Sequence, residues 1–244
     1  MEPKNNIALL IDCDNVSSKY IDSIINDLSK YGTVNIRNAY GNWKDPRLVG
    51  WEEVLHEYSI KPIQQFSYTK GKNASDIAMI IDIMDLLYTK DLSAIALVTS
   101  DSDFTPVVTR VLSNGLTIYG YGEEKTPSPF VNACSQFIYV EKLFESTKED
   151  TLTKDKNSKL VNTAALRKDT RLVALLRTAV EQTSEENGWS NIAAVGLYIS
   201  QNSSFSSINY GYKKLGELIR ATELFDIEMQ GTKKTIMLIK DKRK

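Results

Sequence analysis

Uninterrupted apolar runs alternate with amphipathic segments along the first 140 residues. Runs without polar alternation, such as residues 7–11 and 94–99, are typical of strands buried on both faces of a parallel sheet. Between these runs, apolar residues recur three and four positions apart, which predicts helices with one buried face. We predict strands at residues 7–11, 34–40, 61–65, 94–99, 117–121 and 137–140, and helices at residues 17–31, 48–58, 75–88, 104–114 and 129–134.

Strands that alternate with helices predict a mostly parallel α/β fold. Parallel neighbours need crossover connections, and these are almost always right-handed, so the helices cover both faces of the sheet. The predicted architecture is therefore a three-layer domain spanning residues 1–145.

The pattern changes in the second half of the chain. Residues 146–168 are poor in aromatic side chains and rich in polar ones, and we interpret them as a linker. Residues 169–244 then show three helical segments followed by alternating residues 225–229, a turn at residues 230–232 and a returning strand at residues 235–239. This order predicts a second, smaller winged-helix domain.

Composition excludes several classes of protein. The chain has two cysteines and one histidine, too few for a disulfide framework or a zinc site built from Cys and His. The longest apolar stretch, residues 77–87, is interrupted by Asp82 and Asp85, so we predict no membrane span. With no signal peptide in the first residues, the expected location is the cytoplasm.

Charge is distributed unevenly although the net charge is only −1. Residues 1–145 carry a net charge of −6 and residues 146–244 a net charge of +5. The basic half and its tail, which ends in Lys240, Lys242, Arg243 and Lys244, favour binding of a polyanion. The alternative is a solvated basic tail with no ligand.

Pairs of carboxylates follow two of the predicted buried strands. Asp12 and Asp14 come after the first strand, and Asp101 and Asp103 after the strand at residues 94–99. A spacing of two places both members of a pair on one side of extended backbone. The carboxyl ends of strands in an open α/β sheet meet at one crevice, so we expect the four side chains to converge. For Asp14, capping of the following helix is an open alternative.

Converging carboxylates need a compensating charge. At about 4 Å, each pair repels by a few kcal/mol, and oxygen ligands select Mg²⁺, Mn²⁺ or Ca²⁺ over zinc. Such a metal lowers the pKa of a bound water and clamps phosphate oxygens, which matches phosphodiester hydrolysis.

Further candidates lie around these acids. Asp76 opens the predicted helix at residues 75–88, where Ser75 is the expected cap, whereas Asp82 and Asp85 face elsewhere on that helix as solvated or structural charges. The supporting candidates are Asn15, Ser100 and Ser102, with Lys72 as a phosphate contact and Trp43 and Tyr40 as residues that either stack on bases or pack internally.

Several long motifs resemble a known family. The segments IALLIDCDN, YGNW, GKNASDIAMIIDIMDLLY, ALVTSDSDFTPVVTRVLSNG and YGYGEEKTPSPFVNACSQFIYVEKL resemble the NYN domain, LabA-like branch, of the PIN-like nuclease superfamily. The segments GWSNIAAVGLYISQ and YGYKKLGELIRATELFDIE resemble an OST-HTH domain, also called LOTUS. Both domains occur together in bacteria.

The resemblance implies a Rossmann-like PIN fold and metal-dependent ribonuclease chemistry with Mg²⁺ or Mn²⁺. It implies that Asp12 is the first-strand acid with Asn15 as its companion, that Asp76 opens its helix, and that Asp101 and Asp103 complete the acidic set. The C-terminal domain would then be an RNA-binding winged helix. Its expected phosphate contacts are Lys213, Lys214, Arg220, Lys233 and Lys234.

The leading hypothesis is a hydrolase acting on single-stranded RNA. An RNA-binding adaptor with a vestigial acidic site is the main alternative, and a phosphatase on small substrates is a weaker one. DNA as a substrate, a homodimer and a protein partner bound through the C-terminal domain also stay open.

Overall fold

A computed structural model describes residues 5–66, 74–151, 160–231 and 235–243. The chain divides into two compact units, Met1–Phe144 and Glu145–Lys244. Each unit has its own apolar core.

The first unit is built on a six-stranded sheet in the order β3-β2-β1-β4-β5-β6, with every neighbouring pair parallel. The predicted parallel α/β fold is confirmed. The strands are β1 (Asn6–Asp12), β2 (Thr33–Gly41), β3 (Lys61–Gln64), β4 (Ala94–Val98), β5 (Thr117–Gly122) and β6 (Gln136–Tyr139).

Helices connect successive strands, a further helix follows the last strand, and three of the helices are preceded by a short 3-10 turn. The helices are α1 (Ile21–Leu28), α2 (Val49–Glu57), α3 (Ala74–Thr89), α4 (Thr105–Ser113), α5 (Ser128–Ala133) and α6 (Val140–Thr151), and 3-10 turns at Ser18–Tyr20, Pro46–Leu48 and Ser102–Phe104 precede α1, α2 and α4. The helix predicted at residues 17–31 is thus shorter than expected. It ends before Tyr31, whose ring stacks on Tyr119 at a centroid distance of 4.5 Å.

The strand order reverses between β1 and β4, which places a crevice at their carboxyl ends. Ile11 pairs with Val98 in this register. The residues that follow, Asp12 and Thr99, are therefore neighbours, although 87 positions separate them along the chain.

Two buried tyrosines in this sheet bind carboxylates. Tyr40 is fully buried and its hydroxyl donates to Asp82 Oδ2 at 2.7 Å. Tyr121 is also fully buried and donates to Asp27 Oδ2 at 2.9 Å. Stacking of Tyr40 on bases is therefore excluded, and Asp82 has a structural role.

The second unit is a small helical domain with a three-stranded antiparallel sheet in the order β7-β9-β8. A positive φ of 89° at Gly231 follows β8, at the turn that the sequence predicts. Leu172, Leu176 and Ile219 are buried in its core. Its elements are α7 (Thr163–Lys168), α8 (Thr170–Gln182), β7 (Ser190–Asn191), α9 (Ile192–Asn202), α10 (Leu215–Thr222), β8 (Phe225–Gln230) and β9 (Ile236–Asp241).

Part of the segment predicted as a linker is helical. Helix α6 extends to Thr151, and α7 begins after Asn162, whose Oδ1 accepts a hydrogen bond from the Ala165 amide at 2.9 Å. Leu166 is fully buried in the core of the second unit. Arg167 Nε also donates to the Thr222 carbonyl oxygen at 2.8 Å, so a cap, a buried leucine and an arginine together hold this short helix.

Among the residues described, no helix is long and apolar enough to cross a membrane. The two cysteines are buried thiols. Burial raises the pKa of Cys134 to about 12, so its reactive thiolate is scarce at neutral pH.

Candidate active site

Asp12 lies at the end of β1, and its side chain is 1% exposed. Its Oδ2 accepts hydrogen bonds from Asn15 Nδ2 at 2.7 Å and from Thr99 Oγ1 at 2.8 Å. Its Oδ1 is buried without a hydrogen-bond partner. Burial raises the pKa of Asp12, and the hydrogen bonds from Asn15 and Thr99 oppose that rise. The carboxylate is therefore fixed in orientation with one oxygen left unsatisfied.

Thr99 connects the two strands that supply acids. Besides donating to Asp12, its Oγ1 accepts a hydrogen bond from the Asp101 amide at 3.1 Å. Thr99 is fully buried. This role depends on strand register, which a single sequence does not display.

Asp14 differs from its predicted placement. The backbone leaves the extended conformation after Asp12 and enters a turn, so alternation along a strand no longer applies, and Asp14 is exposed. Its Oδ2 accepts a hydrogen bond from Ser75 Oγ at 3.1 Å. Ser75 lies inside α3 and not at its cap as predicted, because α3 already begins at Ala74. Instead it connects α3 to the turn after β1.

Asp101 and Asp103 flank the turn after β4. Asp101 is the N-cap of the 3-10 turn Ser102–Phe104, and its Oδ1 accepts a hydrogen bond from the Asp103 amide at 2.9 Å. Capping therefore occupies one oxygen of Asp101. Asp103 is exposed.

Asp76 lies in the first turn of α3 and is 9% exposed. Burial, followed by the negative charges of Asp12, Asp101, Asp14 and Asp103, raises the pKa of Asp76 to about 6. The other four acids predicted from the sequence thus lie within electrostatic range of Asp76. We refer to Asp12, Asp14, Asp76, Asp101 and Asp103 as the acidic cluster.

Ser100 and Gly122 keep the neighbouring strands at a fixed distance. Ser100 Oγ accepts a hydrogen bond from the Glu123 amide at 2.9 Å, which ties the end of β4 to the turn after β5. A Cβ atom at Gly122 would lie 2.6 Å from the Thr99 carbonyl oxygen, so only glycine fits there without displacing backbone. Ser102 lies in the 3-10 turn, where its carbonyl accepts a hydrogen bond from Thr105 Oγ1 at 2.6 Å. The roles predicted for the two serines stay predictions.

The donor atoms of the acidic cluster suit a hard cation, but the side chains are not arranged around one. Within the described ranges, no group of three or more Asp, Glu, His or Cys side chains could hold a metal ion together. However, every donor in the cluster is an oxygen, and Asp12 Oδ1 is a buried acceptor without a partner. The predicted metal ligands Asp12, Asp76, Asp101 and Asp103 all offer the oxygen donors that Mg²⁺ or Mn²⁺ selects, and this assignment stays a prediction.

The predicted RNA contacts fall in three groups. Lys72, Lys233 and Lys234 lie outside the described residues. Trp43 is half-buried and its indole Nε1 is buried without a hydrogen-bond partner. In the second unit Lys213, Lys214 and Arg220 are exposed residues of α10 or the segment just before it. All of these assignments stay predictions.

Two protein families match separate parts of the chain. The NYN domain family matches residues 6–141, and the OST-HTH/LOTUS domain family matches residues 167–237. An uncharacterized protein of Methanocaldococcus jannaschii is 27% identical over 172 residues, which cover 68% of each chain. A crystal structure of a protein of unknown function from Vibrio parahaemolyticus aligns with a TM-score of 0.49 and 18% identity, covering 57% of this chain and 94% of that one.

Proposed function

The chain belongs to the NYN domain family and continues into an OST-HTH/LOTUS domain, as its motifs predicted, and on that premise we propose that it is an Mg²⁺- or Mn²⁺-dependent endoribonuclease. Its substrate in this proposal is RNA, preferentially single-stranded, and its reaction is hydrolysis of phosphodiester bonds. The observation that carries the proposal is the unpartnered, buried Oδ1 of Asp12 within the acidic cluster.

An unsatisfied carboxylate oxygen is costly in a protein interior. Buried polar atoms nearly always have a partner, and a buried charge beside other negative charges is especially unfavourable. Asn15 and Thr99 both bind Oδ2 of Asp12 and leave Oδ1 unpaired. A hard cation beside Oδ1 would satisfy it and also neutralise Asp76 and Asp101.

Different residues of the chain would have different roles in hydrolysis. When bound, the metal supplies a Lewis acid for the phosphate and an acidified water. Asp12 and Asp101 would hold it, while Asn15 and Thr99 keep the Asp12 carboxylate in one orientation. Asp76 would orient the attacking water, and its burial in the first turn of α3 fixes its position.

The C-terminal domain would present RNA to the acidic cluster. Residues 146–244 carry a net charge of +5, whereas residues 1–145 carry −6 and repel a polyanion. Joining the two domains in one chain raises the local RNA concentration at the site. Lys213, Lys214 and Arg220 are the proposed phosphate contacts.

A cleavage assay tests the proposal directly. We expect the full chain with Mn²⁺ to cut a labelled single-stranded RNA, and Asp12→Asn and Asp101→Asn to lose at least about a hundredfold of that rate. Asp85→Asn is the matched control, because Asp85 is an exposed acid on the same helix as Asp76. Equal cleavage rates for the intact chain and Asp12→Asn would refute the proposed hydrolase activity. A parallel assay with single-stranded DNA shows whether the substrate is RNA, DNA or both.

A second candidate function is RNA binding without catalysis. It is favoured by the lack, within the described ranges, of a group of three acids arranged to hold a metal. Calorimetric titration with Mn²⁺ separates the two. Absence of binding to the intact chain, combined with tight RNA binding that is lost in Lys213→Glu/Lys214→Glu, would support the adaptor.

A further inference from the structure

A cavity of about 400 Å³ opens beside the acidic cluster in the first unit. Three segments that follow carboxyl ends of strands line it: the turn after β1, the start of α2, and the turn after β5. Asp14 and Asn15 belong both to this lining and to the surroundings of Asp12. The cavity is within the size range of ligand sites in proteins. Through Asp14 and Asn15, the cavity wall adjoins the residues that surround Asp12.

Two cations from different segments line this cavity. Arg47 lies just before α2, and Lys125 lies in the turn after β5. Arg47 Nη2 contacts Asp45 Oδ2 at 2.7 Å, and Lys125 Nζ contacts Glu123 Oε2 at 2.8 Å. The side chains of Arg47 and Lys125 are 78% and 66% exposed, and exposed ion pairs contribute little stability. Arg47 Nε also donates to Asp45 Oδ2 at 3.0 Å, so a phosphate at Arg47 competes with a bidentate carboxylate and a phosphate at Lys125 with a single contact. Both cations are exposed enough to be reached by such a phosphate.

Electrostatics connect the cavity to the acids. Asp45 first, and Asp14 to a smaller extent, raise the pKa of the Arg47 guanidinium, so Arg47 lies within electrostatic range of Asp14, one member of the acidic cluster. A nucleic-acid strand that approaches five acids needs positive charges close by. A guanidinium is well suited to this because it can bind two phosphate oxygens at once.

We propose that this cavity is the subsite for the nucleotide next to the bond that is cut, with Arg47 and Lys125 binding its phosphate. The inference rests on the proposed ribonuclease function and deepens it by placing the substrate strand. The hydroxyls of Ser17 and Ser18 and the amide of Asn15 also line the cavity, and they are groups that can meet a ribose hydroxyl.

Gly50 offers a test of shape that leaves the charges in place. It lies in α2 on the cavity wall, and a Cβ atom there would approach only Ser18 Oγ, at 3.2 Å. Because glycine disfavours a helix interior, Gly50→Leu should keep or raise the stability of α2 while it narrows the cavity.

The experiment measures binding of a fluorescein-labelled octauridylate to the full chain in an Asp12→Asn background with Mg²⁺. We expect Arg47→Ala/Lys125→Ala to weaken binding about tenfold or more, and to reduce the slope of log affinity against log salt by about 0.7 for each phosphate that the variant no longer binds. Gly50→Leu should weaken binding with an unchanged salt slope, because both cations are still present. The matched control is Lys61→Ala/Lys90→Ala, which removes two exposed lysines near the amino ends of β3 and β4, away from the carboxyl ends where the cavity lies.

A second readout locates the strand irrespective of binding by the C-terminal domain. RNA carrying 4-thiouridine is cross-linked to the Asp12→Asn chain, and mass spectrometry identifies the attached peptides. We expect cross-links within residues 13–18 or 47–51, and their loss in Gly50→Leu. Unchanged affinity in both cavity variants, or cross-links only elsewhere, overturns the subsite.

The subsite and the ribonuclease can fail separately. If the intact chain cuts RNA while the cavity variants bind it unchanged, the subsite is wrong and the ribonuclease stands. If the intact chain does not cut RNA while the cavity variants lose affinity, the ribonuclease is wrong and the binding cavity stands.

Discussion

Replacing Asp76 with asparagine should stabilise the metal-free protein at neutral and basic pH. Burial and the four surrounding acids make the charged form of Asp76 unfavourable in the folded state. In the unfolded chain these neighbours are dispersed and the carboxylate is hydrated. An asparagine side chain has a similar shape but carries no charge, so the folded state gains more from the substitution than the unfolded state does.

The pKa of Asp76 gives the magnitude. It rises from 3.8 to about 6, and each tenfold change in the ionisation constant corresponds to about 1.36 kcal/mol. Charged Asp76 therefore lowers the free energy of unfolding by up to about 3 kcal/mol. Because the folded pKa is the higher one, this penalty is absent below pH 3.8, grows between pH 3.8 and 6, and is complete above pH 6.

Urea unfolding monitored by tryptophan fluorescence measures this effect. Trp43 and Trp51 lie in the first unit and Trp189 in the second, so a Trp189→Phe background restricts the signal to the first unit. In chelator at pH 8, we expect Asp76→Asn to raise the free energy of unfolding by up to about 3 kcal/mol, which corresponds to about 6 to 12 °C in melting temperature. At pH 4 the gain should be close to zero.

Two controls make the result decisive. Asp85→Asn removes an exposed charge from the same helix and should leave stability unchanged at both pH values. Saturating Mn²⁺ should stabilise the wild-type protein more than Asp76→Asn, because ligand binding stabilises the state that binds it. A neutral or destabilising Asp76→Asn at pH 8, or a gain that persists at pH 4, would show that the acids do not repel one another as inferred.

Three further predictions concern the surroundings of the acids. Thr99→Val removes a donor to Asp12 and should weaken Mn²⁺ binding about 10- to 100-fold by calorimetry, and unchanged affinity would contradict its positioning role. Mn²⁺ binding should release about half a proton from Asp76 at pH 6 and almost none at pH 8. Calorimetry in buffers of different ionisation enthalpy measures this release, and equal release at both pH values would contradict the prediction. Tyr40→Phe, which leaves Asp82 without its buried donor, should cost about 1 to 3 kcal/mol in urea unfolding, and a neutral result would mean that solvent replaces the bond.

Most of the fold can be predicted from the sequence because each strand carries a strong local signal. The apolar run at residues 7–11 lies within β1, and the run at residues 94–99 contains β4. The beginning of the second unit is harder to predict from the sequence. Large apolar residues are few around α7, and only the folded chain shows that Leu166 is buried in a core formed by residues far along the sequence.

The candidate site was partly predictable. The position of a carboxylate after a strand follows from chain order, which is why Asp12 and Asp101 could be chosen. The hydrogen bonds that orient Asp12 come from register and turn geometry, so the contribution of Thr99 depends on the pairing of Ile11 with Val98. Neither Arg47 nor Lys125 was singled out from the sequence, because only the folded chain brings their segments to one cavity.

Gly122 shows why the presence of the aspartates alone does not establish that the acidic cluster works in relatives of this protein. A methyl group at this position would press on the Thr99 carbonyl and shift the threonine that orients Asp12. Every aspartate of the set would persist in such a sequence, yet their mutual alignment would be lost. A screen of homologues should therefore ask for glycine at the end of β5 as well as for the aspartates. It would separate sites whose acids can still be aligned from sites that have the same carboxylates but have lost that alignment.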